Sequence, residues 1–219
     1  MAKDAFAFGL LRRKEVTIPS LRGWAVLLLL FVAGGLGFLK GIHPFLSPNH
    51  PIGGEILVVE GWIPDYCLRE ALQTFRGRGY KLLVTTGGPL PAGMPYSFLG
   101  SHAELAAKTL REMGLGADSV LAVPSIDAIK DRTYMEGVAL KDWMQASGHA
   151  CPSLDLFTFS AHARRSRLLY RNALGPGTEV GVYSARDRGY DPAVWWRSSN
   201  GVRRISDETI AYLYAVIFF

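Results

Sequence analysis

Hydrophobic positions fall into three regimes along the chain. From Trp24 to Leu39 it reads WAVLLLLFVAGGLGFL, sixteen residues in a stretch without charge between Arg22 and Lys40. A helix of that composition has no polar face to turn to water, and with Gly41 and Ile42 added it reaches the roughly 17–25 residues that cross a bilayer. From Ile42 to Gly54 the prolines Pro44, Pro48 and Pro51 and the pair Gly53-Gly54 interrupt any period and predict a stiff spacer. Beyond Gly54, short apolar runs alternate with stretches of helical period. The strands are predicted at Glu55–Glu60 (EILVVE), Lys81–Thr86 (KLLVTT), Ser119–Val123 (SVLAV), Leu154–Phe159 (LDLFTF) and Glu179–Tyr183 (EVGVY). The helices fall at Asp65–Arg78, Ser101–Met113, Asp131–Gln145, His162–Leu174 and Ser206–Phe219.

Apolar strands that do not alternate in polarity, each followed by a helix, predict a buried parallel sheet. Right-handed crossovers then cover both of its faces with helices. The fold class is α/β: a Rossmann-like, open, mainly parallel five-stranded sheet with helices on both faces, preceded by one transmembrane helix. The organisation follows as a basic tail at 1–23, the transmembrane helix at 24–41, the spacer at 42–54 and the α/β domain at 55–219. The last helix ends in AYLYAVIFF, nine residues that are too few to span a membrane and are expected to pack on the sheet.

Charge sets the expected orientation. Lys3, Arg12, Arg13, Lys14 and Arg22 precede the apolar run and only Lys40 follows closely, so the tail is expected in the cytoplasm and the domain outside it, at a bacterial inner membrane. No small-x-small cleavage site follows Leu39, which favours an uncleaved anchor held by the lipid bilayer. The chain carries a net charge of +5. With Asp4 and Glu15 counted, the tail supplies +3 of it, so the remaining +2 gives no reason to expect nucleic-acid binding. Cys67 and Cys151 have no neighbours at metal-ligand spacing; they are read as separate half-buried thiols, with pairing left open.

Ligands of an open parallel sheet bind beyond the carboxyl ends of its strands, where strand order reverses. For an order of 3-2-1-4-5 that crevice lies between the first and fourth strands. Glu60 and Trp62 would follow the first strand and His162 the fourth, with Gly87, Gly88, Asp131, Arg132 and Thr133 flanking. Arg164 and Arg165 stand in the first turn of a helix, against its dipole, which a bound anion would relieve; the alternative is that they are solvated or paired with acidic neighbours. Gly87-Gly88 would admit a ligand to backbone amides but has no nucleotide-motif spacing. Ser101 to Glu104 has the form of a capping box, as does Thr133 to Glu136, so Glu104 reads equally as cap and as site residue. No G-x-S-x-G elbow, H-E-x-x-H motif or metal cluster is present in the sequence.

These landmarks resemble the YdcF-like family that includes SanA and ElyC. They are Val84-Thr85-Thr86-Gly87-Gly88, the acid of Ser101–Glu104, the turn Asp131-Arg132-Thr133, and Thr158-Phe159-Ser160-Ala161-His162 followed by Arg164-Arg165. The first strand departs from the pattern, ending Val59-Glu60-Gly61-Trp62 where many relatives are glycine-rich. The resemblance implies a role in the bacterial envelope, in surface-polysaccharide or peptidoglycan-precursor handling. The expectation is an enzyme acting on a phosphorylated small molecule or lipid-linked glycan, with Arg164 and Arg165 holding phosphate and Glu60, His162 and Asp131 serving acid–base chemistry. Trp62, Gly87, Gly88, Glu104, Arg132 and Thr133 would line the ligand site, with no cofactor or metal. A non-catalytic module that binds an envelope metabolite or synthase is the alternative.

Overall fold

The computed structural model describes residues 5–6, 11–12, 16–93, 96–149 and 151–219. The chain divides into two compact units between Leu39 and Lys40. Helix α1, Leu21–Leu46, is long and apolar enough to cross a membrane, and the side chains of its apolar stretch are exposed instead of packed in a core. It starts at Leu21, ahead of the apolar run, because Ser20 closes its first turn by accepting from the Gly23 amide at 3.3 Å. It also continues past Gly41 through Pro44, where the sequence had suggested a spacer. Ile42 and Leu46, one turn apart, are buried within the second unit, and that packing carries the helix to the end of the turn containing Pro44.

The second unit alternates strand and helix throughout: β1 Ile56–Glu60, α2 Asp65–Arg78, β2 Leu82–Gly87, α3 His102–Glu112, β3 Val120–Pro124, α4 Arg132–Ser147, β4 Ser153–Phe159, α5 Ala163–Leu174, β5 Glu179–Ala185 and α6 Ser199–Phe218. All five strands are parallel, in the order β3-β2-β1-β4-β5. Strand order therefore reverses between β1 and β4, the position at which a crevice is expected.

Successive residues of β1 serve opposite cores. Leu57 and Val59 join Leu83, Phe157 and the apolar sides of α2 and α3, including Leu68, Ala71, Ala106 and Leu110. Ile56 and Val58 join Val84, Leu156 and residues of α4 and α5, including Leu140, Met144 and Tyr170. Helices thus cover both faces, and the central strands are apolar on both sides because neither side meets water. Cys67 lies in the first core and Cys151 in the second, both as free thiols, so the sheet stands between them.

One buried charge fastens the entering chain to this sheet. Asp155 of β4 is fully buried and accepts from the amides of Ile52, Gly53 and Gly54 at 2.8, 2.9 and 3.1 Å, and from the Tyr80 hydroxyl at 2.6 Å. Gly181 on β5 leaves the space, since a Cβ there would sit 1.9 Å from the carboxylate.

Helix α6 differs from its expected form. It begins at Ser199, because Ser198 caps it by accepting from the Gly201 amide at 3.0 Å. It packs on α5 and not on the sheet. Its inner face holds Gly201, Ile205, Glu208 and Ala215, while Ile210, Leu213, Ile217 and Phe218 remain exposed.

Candidate functional site

Glu60 ends β1 at the switch point and is fully buried. A carboxylate there needs donors, because an unpaired buried charge is strongly disfavoured. Two neighbouring elements supply them: the Thr158 hydroxyl at the end of β4, and the Ser166 hydroxyl in the first turn of α5, at 2.8 Å. Both donors are themselves fully buried.

His162 follows β4 in the turn Ser160–His162 that leads into α5. Ser160 takes a left-handed φ of 48°, a conformation uncommon outside glycine, and this turns the chain sharply from strand to helix. The imidazole is 6% exposed and lies between two carboxylates. Nδ1 is 2.9 Å from Glu208 Oε1 on α6, whereas Nε2 is 3.7 Å from Glu60 Oε2 and has no hydrogen-bond partner. Arg165 Nη2 also addresses Nδ1, at 2.8 Å, so the tautomer of the ring decides whether Nδ1 donates to Glu208 or accepts from Arg165, while Nε2 stays buried beside Glu60. Trp62 closes the ring from one side, edge to face at a centroid distance of 5.0 Å.

Glu208 also accepts from Arg165 Nε at 2.9 Å and Nη2 at 3.2 Å, a bidentate pair. Burial by itself would raise the Glu208 carboxyl. The hydrogen bond from His162, that residue's charge and the Arg165 pair outweigh burial and hold it down at about 2.

A third buried carboxyl comes from α4. Glu136 is 4% exposed, and the Tyr170 hydroxyl donates to its Oε2 at 3.3 Å; that hydroxyl lies 2.7 Å from Thr86 Oγ1 at the end of β2. Burial first, and the negative charge of Glu60 second, push the Glu136 carboxyl up to about 8. The switch point thus brings together an imidazole whose Nε2 has no hydrogen-bond partner and a buried carboxyl raised to about 8.

The remaining expected site residues divide between crevice and scaffold. Gly87 and Gly61 are required by close packing: a Cβ on Gly87 would lie 2.7 Å from His102 Cβ, and one on Gly61 would lie 2.4 Å from the His102 carbonyl oxygen. The two glycines let the start of α3 sit on the strand ends. Gly88 follows, beside Ser125. Glu104 is exposed and completes the α3 cap, with its amide donating to Ser101 Oγ at 3.1 Å and its Oε2 accepting from that hydroxyl at 2.7 Å. Asp131 precedes α4 in a left-handed conformation, φ 58°, without a side-chain cap bond, and Thr133 is buried inside the first turn. Thr133 and Glu136 therefore form no capping box, and Glu136 points inward instead. Arg132 is exposed at the start of α4; its charge, after burial, is the second cause lowering the pKa of His102.

The two arginines of α5 are engaged by the protein itself. Arg164 donates through Nε to the Phe45 carbonyl and lies over the Phe45 ring at 4.0 Å. Arg165 is paired with Glu208. Their conflict with the helix dipole is relieved by a carbonyl and a carboxylate, so it does not by itself call for a bound anion. A cleft of about 500 Å³ lined by Arg167, Arg171 and Glu179 lies toward the start of β5, at the opposite end of the sheet from the site.

Glu136, Glu208, Thr158, Ser166 and Tyr170 were not identified as site residues from sequence. Glu136 had the spacing of a helix cap, and Glu208 lies 46 residues from its partner His162 with no motif to connect them. Comparison of the chain with models of known protein families and with curated proteins gives no match. The class is defined by the molecule alone: an α/β Rossmann-like domain carrying a helix apolar enough to cross a membrane, with a buried histidine and carboxyl cluster at its switch point.

Proposed function

We propose that the protein is an extracytoplasmic, inner-membrane-anchored YdcF-like protein of bacterial cell-envelope or surface-polysaccharide metabolism. In this reading it is an acid–base enzyme acting on a phosphate-bearing, lipid-linked glycan intermediate. The observation that carries the reading is the buried His162, oriented through Nδ1 by Glu208 and left with an unpartnered Nε2 at the carboxyl ends of the strands. Nε2 accepts a proton from the attacking group, and Glu60 and Glu208 place negative charge on both sides of the ring that receives it. Protonated Glu136 supplies a proton to the leaving oxygen. Arg132, exposed at the start of α4, brings positive charge for a phosphate.

The chemistry is tested with the full chain reconstituted in bacterial inner-membrane lipid extract, following polyprenyl-phosphate-linked species by mass spectrometry. Wild type is expected to convert one such species. His162→Ala is expected to lose at least a hundredfold in rate, in the range of general acid–base contributions of roughly 10²–10⁴, and Glu208→Gln to lose less. An unchanged pool with wild type, or an equal rate with His162→Ala, would replace the enzyme by a binding module. Orientation is tested separately: five bases precede the apolar run, so a reporter fused after Phe219 is expected to be active only outside the cytoplasm. Activity of a cytosolic reporter there would reverse the topology.

A further inference from the structure

We infer that the cleft beside the start of β5, together with an apolar cavity that adjoins it across Thr178, is a second ligand site, built for an organic phosphate. The phosphate would lie between Arg167 and Arg171, and the apolar body of the ligand against Met144 and Leu174. The inference goes beyond the acid–base reading and does not rest on it, since this site is at the other end of the sheet. Arg167 and Arg171 are one turn apart on α5, a spacing that makes them neighbours on the helix surface. Arg167 is half-buried and fixed: its Nε donates to the Val180 carbonyl at 2.7 Å, which leaves its two terminal nitrogens for another acceptor. The Arg171 side chain is exposed and has no hydrogen bond or ion pair among the described residues. After burial, the charge of Arg171 is the next cause that lowers the pKa of Arg167, so the two guanidinium groups repel each other where they stand. An oxyanion between them would turn that repulsion into charge-assisted contacts.

The two cavities supply the rest. The first, of about 500 Å³, is also lined by Asn172 and Thr178. The second, of about 340 Å³, lies between the end of α4, the start of β4 and the loop after α5; Met144, Cys151, Pro152 and Leu174 give it an apolar lining, with Lys141 and Gln145 as its polar residues. Thr178 lines both cavities, and its hydroxyl donates to the Cys151 carbonyl at 3.3 Å. An apolar chamber beside a few placed polar groups is the usual build of a small-molecule site. Charge selects the head of the ligand. The cations Arg167, Arg171 and Lys141 face Glu179, the one acid among the described lining residues, and a phosphate monoester carries about −1.5 to −2 near neutral pH. The Arg171 carbonyl, which would repel an anion at the end of α5, is already taken up by the Gly175 amide at 3.0 Å.

Titration of the detergent-solubilised full chain with inorganic phosphate and, separately, with n-butyl phosphate tests this, followed by broadening of the ligand's phosphorus NMR resonance. The chain carries Arg132→Gln throughout, which removes the arginine assigned to a phosphate in the functional reading and leaves the cleft to be measured. Butyl phosphate is expected to bind about tenfold more tightly than inorganic phosphate, the gain from burying roughly two methylene groups. Adding Arg171→Gln, at an exposed position, is expected to weaken both ligands by about tenfold or more, as befits the loss of a charged hydrogen-bond donor. Adding Gly177→Leu instead, where a Cβ meets nothing within 4 Å, is expected to cancel the butyl advantage and leave inorganic phosphate unchanged. Equal affinities with and without Arg171→Gln overturn the inference, as does a butyl advantage that survives Gly177→Leu. Binding that is seen in wild type and abolished by Arg132→Gln alone also overturns it and gives the phosphate to the switch point. No readout depends on turnover, so a protein without catalysis would keep this site and lose only the enzymatic reading.

Discussion

Glu136→Gln is expected to stabilise the folded domain at pH 8 to 9 by several kcal/mol while abolishing turnover. The folded-state carboxyl is raised from 4.5 to about 8, so the folded form binds this proton more tightly than the unfolded chain does. Stability contributed by that proton is complete below about pH 4.5 and is lost as pH rises through about 8. At about 1.4 kcal/mol per unit the loss is on the order of 5 kcal/mol, large beside a typical domain stability of roughly 5–15 kcal/mol. Glutamine is neutral at every pH and keeps an acceptor for Tyr170, so its variant has no such slope. Glu208 has the opposite sign: its folded value near 2 gives stability that is present above about 4.5 and lost as pH falls toward 2. Thermal unfolding of the solubilised full chain between about pH 3 and 9 should show wild type falling on both sides and Glu136→Gln falling only in acid. A wild-type profile flat from about pH 5 to 9 would remove the basis for Glu136 as the acid. A residue that destabilises the fold and is needed for chemistry is what a stability–activity trade-off leaves at an active site.

Asp155→Ala should be the most damaging single truncation in the domain. Three consecutive amides lose their acceptor in a fully buried setting, and the Tyr80 hydroxyl keeps only the longer contact to the Tyr183 hydroxyl at 3.2 Å. Hydrogen bonds to a charged group contribute about 1.5–3 kcal/mol each, and buried donors left without partners are penalised further. Part of the loss is recovered as water reaches residues 52–54, which leaves a net effect of about 3–5 kcal/mol, or a fall of roughly 10 °C in Tm for a chain of this size. Tyr80→Phe removes one donor and keeps the three amide bonds, so its effect should be near 1 kcal/mol. Circular dichroism melts of the three proteins give the comparison. A change below about 1 kcal/mol for Asp155→Ala would show that residues 52–54 are held by something other than this carboxylate.

The fold was legible because its determinants are local. Non-alternating runs such as EILVVE and KLLVTT need burial on both faces, and a helix after each run leaves little choice but a parallel sheet in the observed order. Glu60 and His162 were legible for a related reason: topology alone puts the ends of β1 and β4 at the switch point. Other site residues depend on geometry that sequence spacing does not encode. Thr133 and Glu136 have the spacing of a capping box, yet the helix is entered one residue after Asp131, in a left-handed turn. That places Glu136 in the second turn, facing Tyr170 and not the helix end. Arg164 and Arg165 stand at a helix start, where cations oppose the dipole. The relief comes from Phe45 and Glu208, which lie 119 and 43 residues away, so no local pattern could assign it. The expectation for the last helix failed on the same ground, because apolar character specifies burial without naming what does the burying.

Placing Cys67 and Cys151 on opposite sides of the sheet keeps them from pairing with each other. Each thiol acts as a small apolar filler, and burial pushes that of Cys67 up to about 12, so the reactive thiolate is scarce. There is no cross-link to form, shuffle or lose, and hence no need of an oxidant or an isomerase during maturation. An α/β sheet of this build reaches the same covalent state in a reducing cytosol and in an oxidising compartment. Its architecture is portable between them.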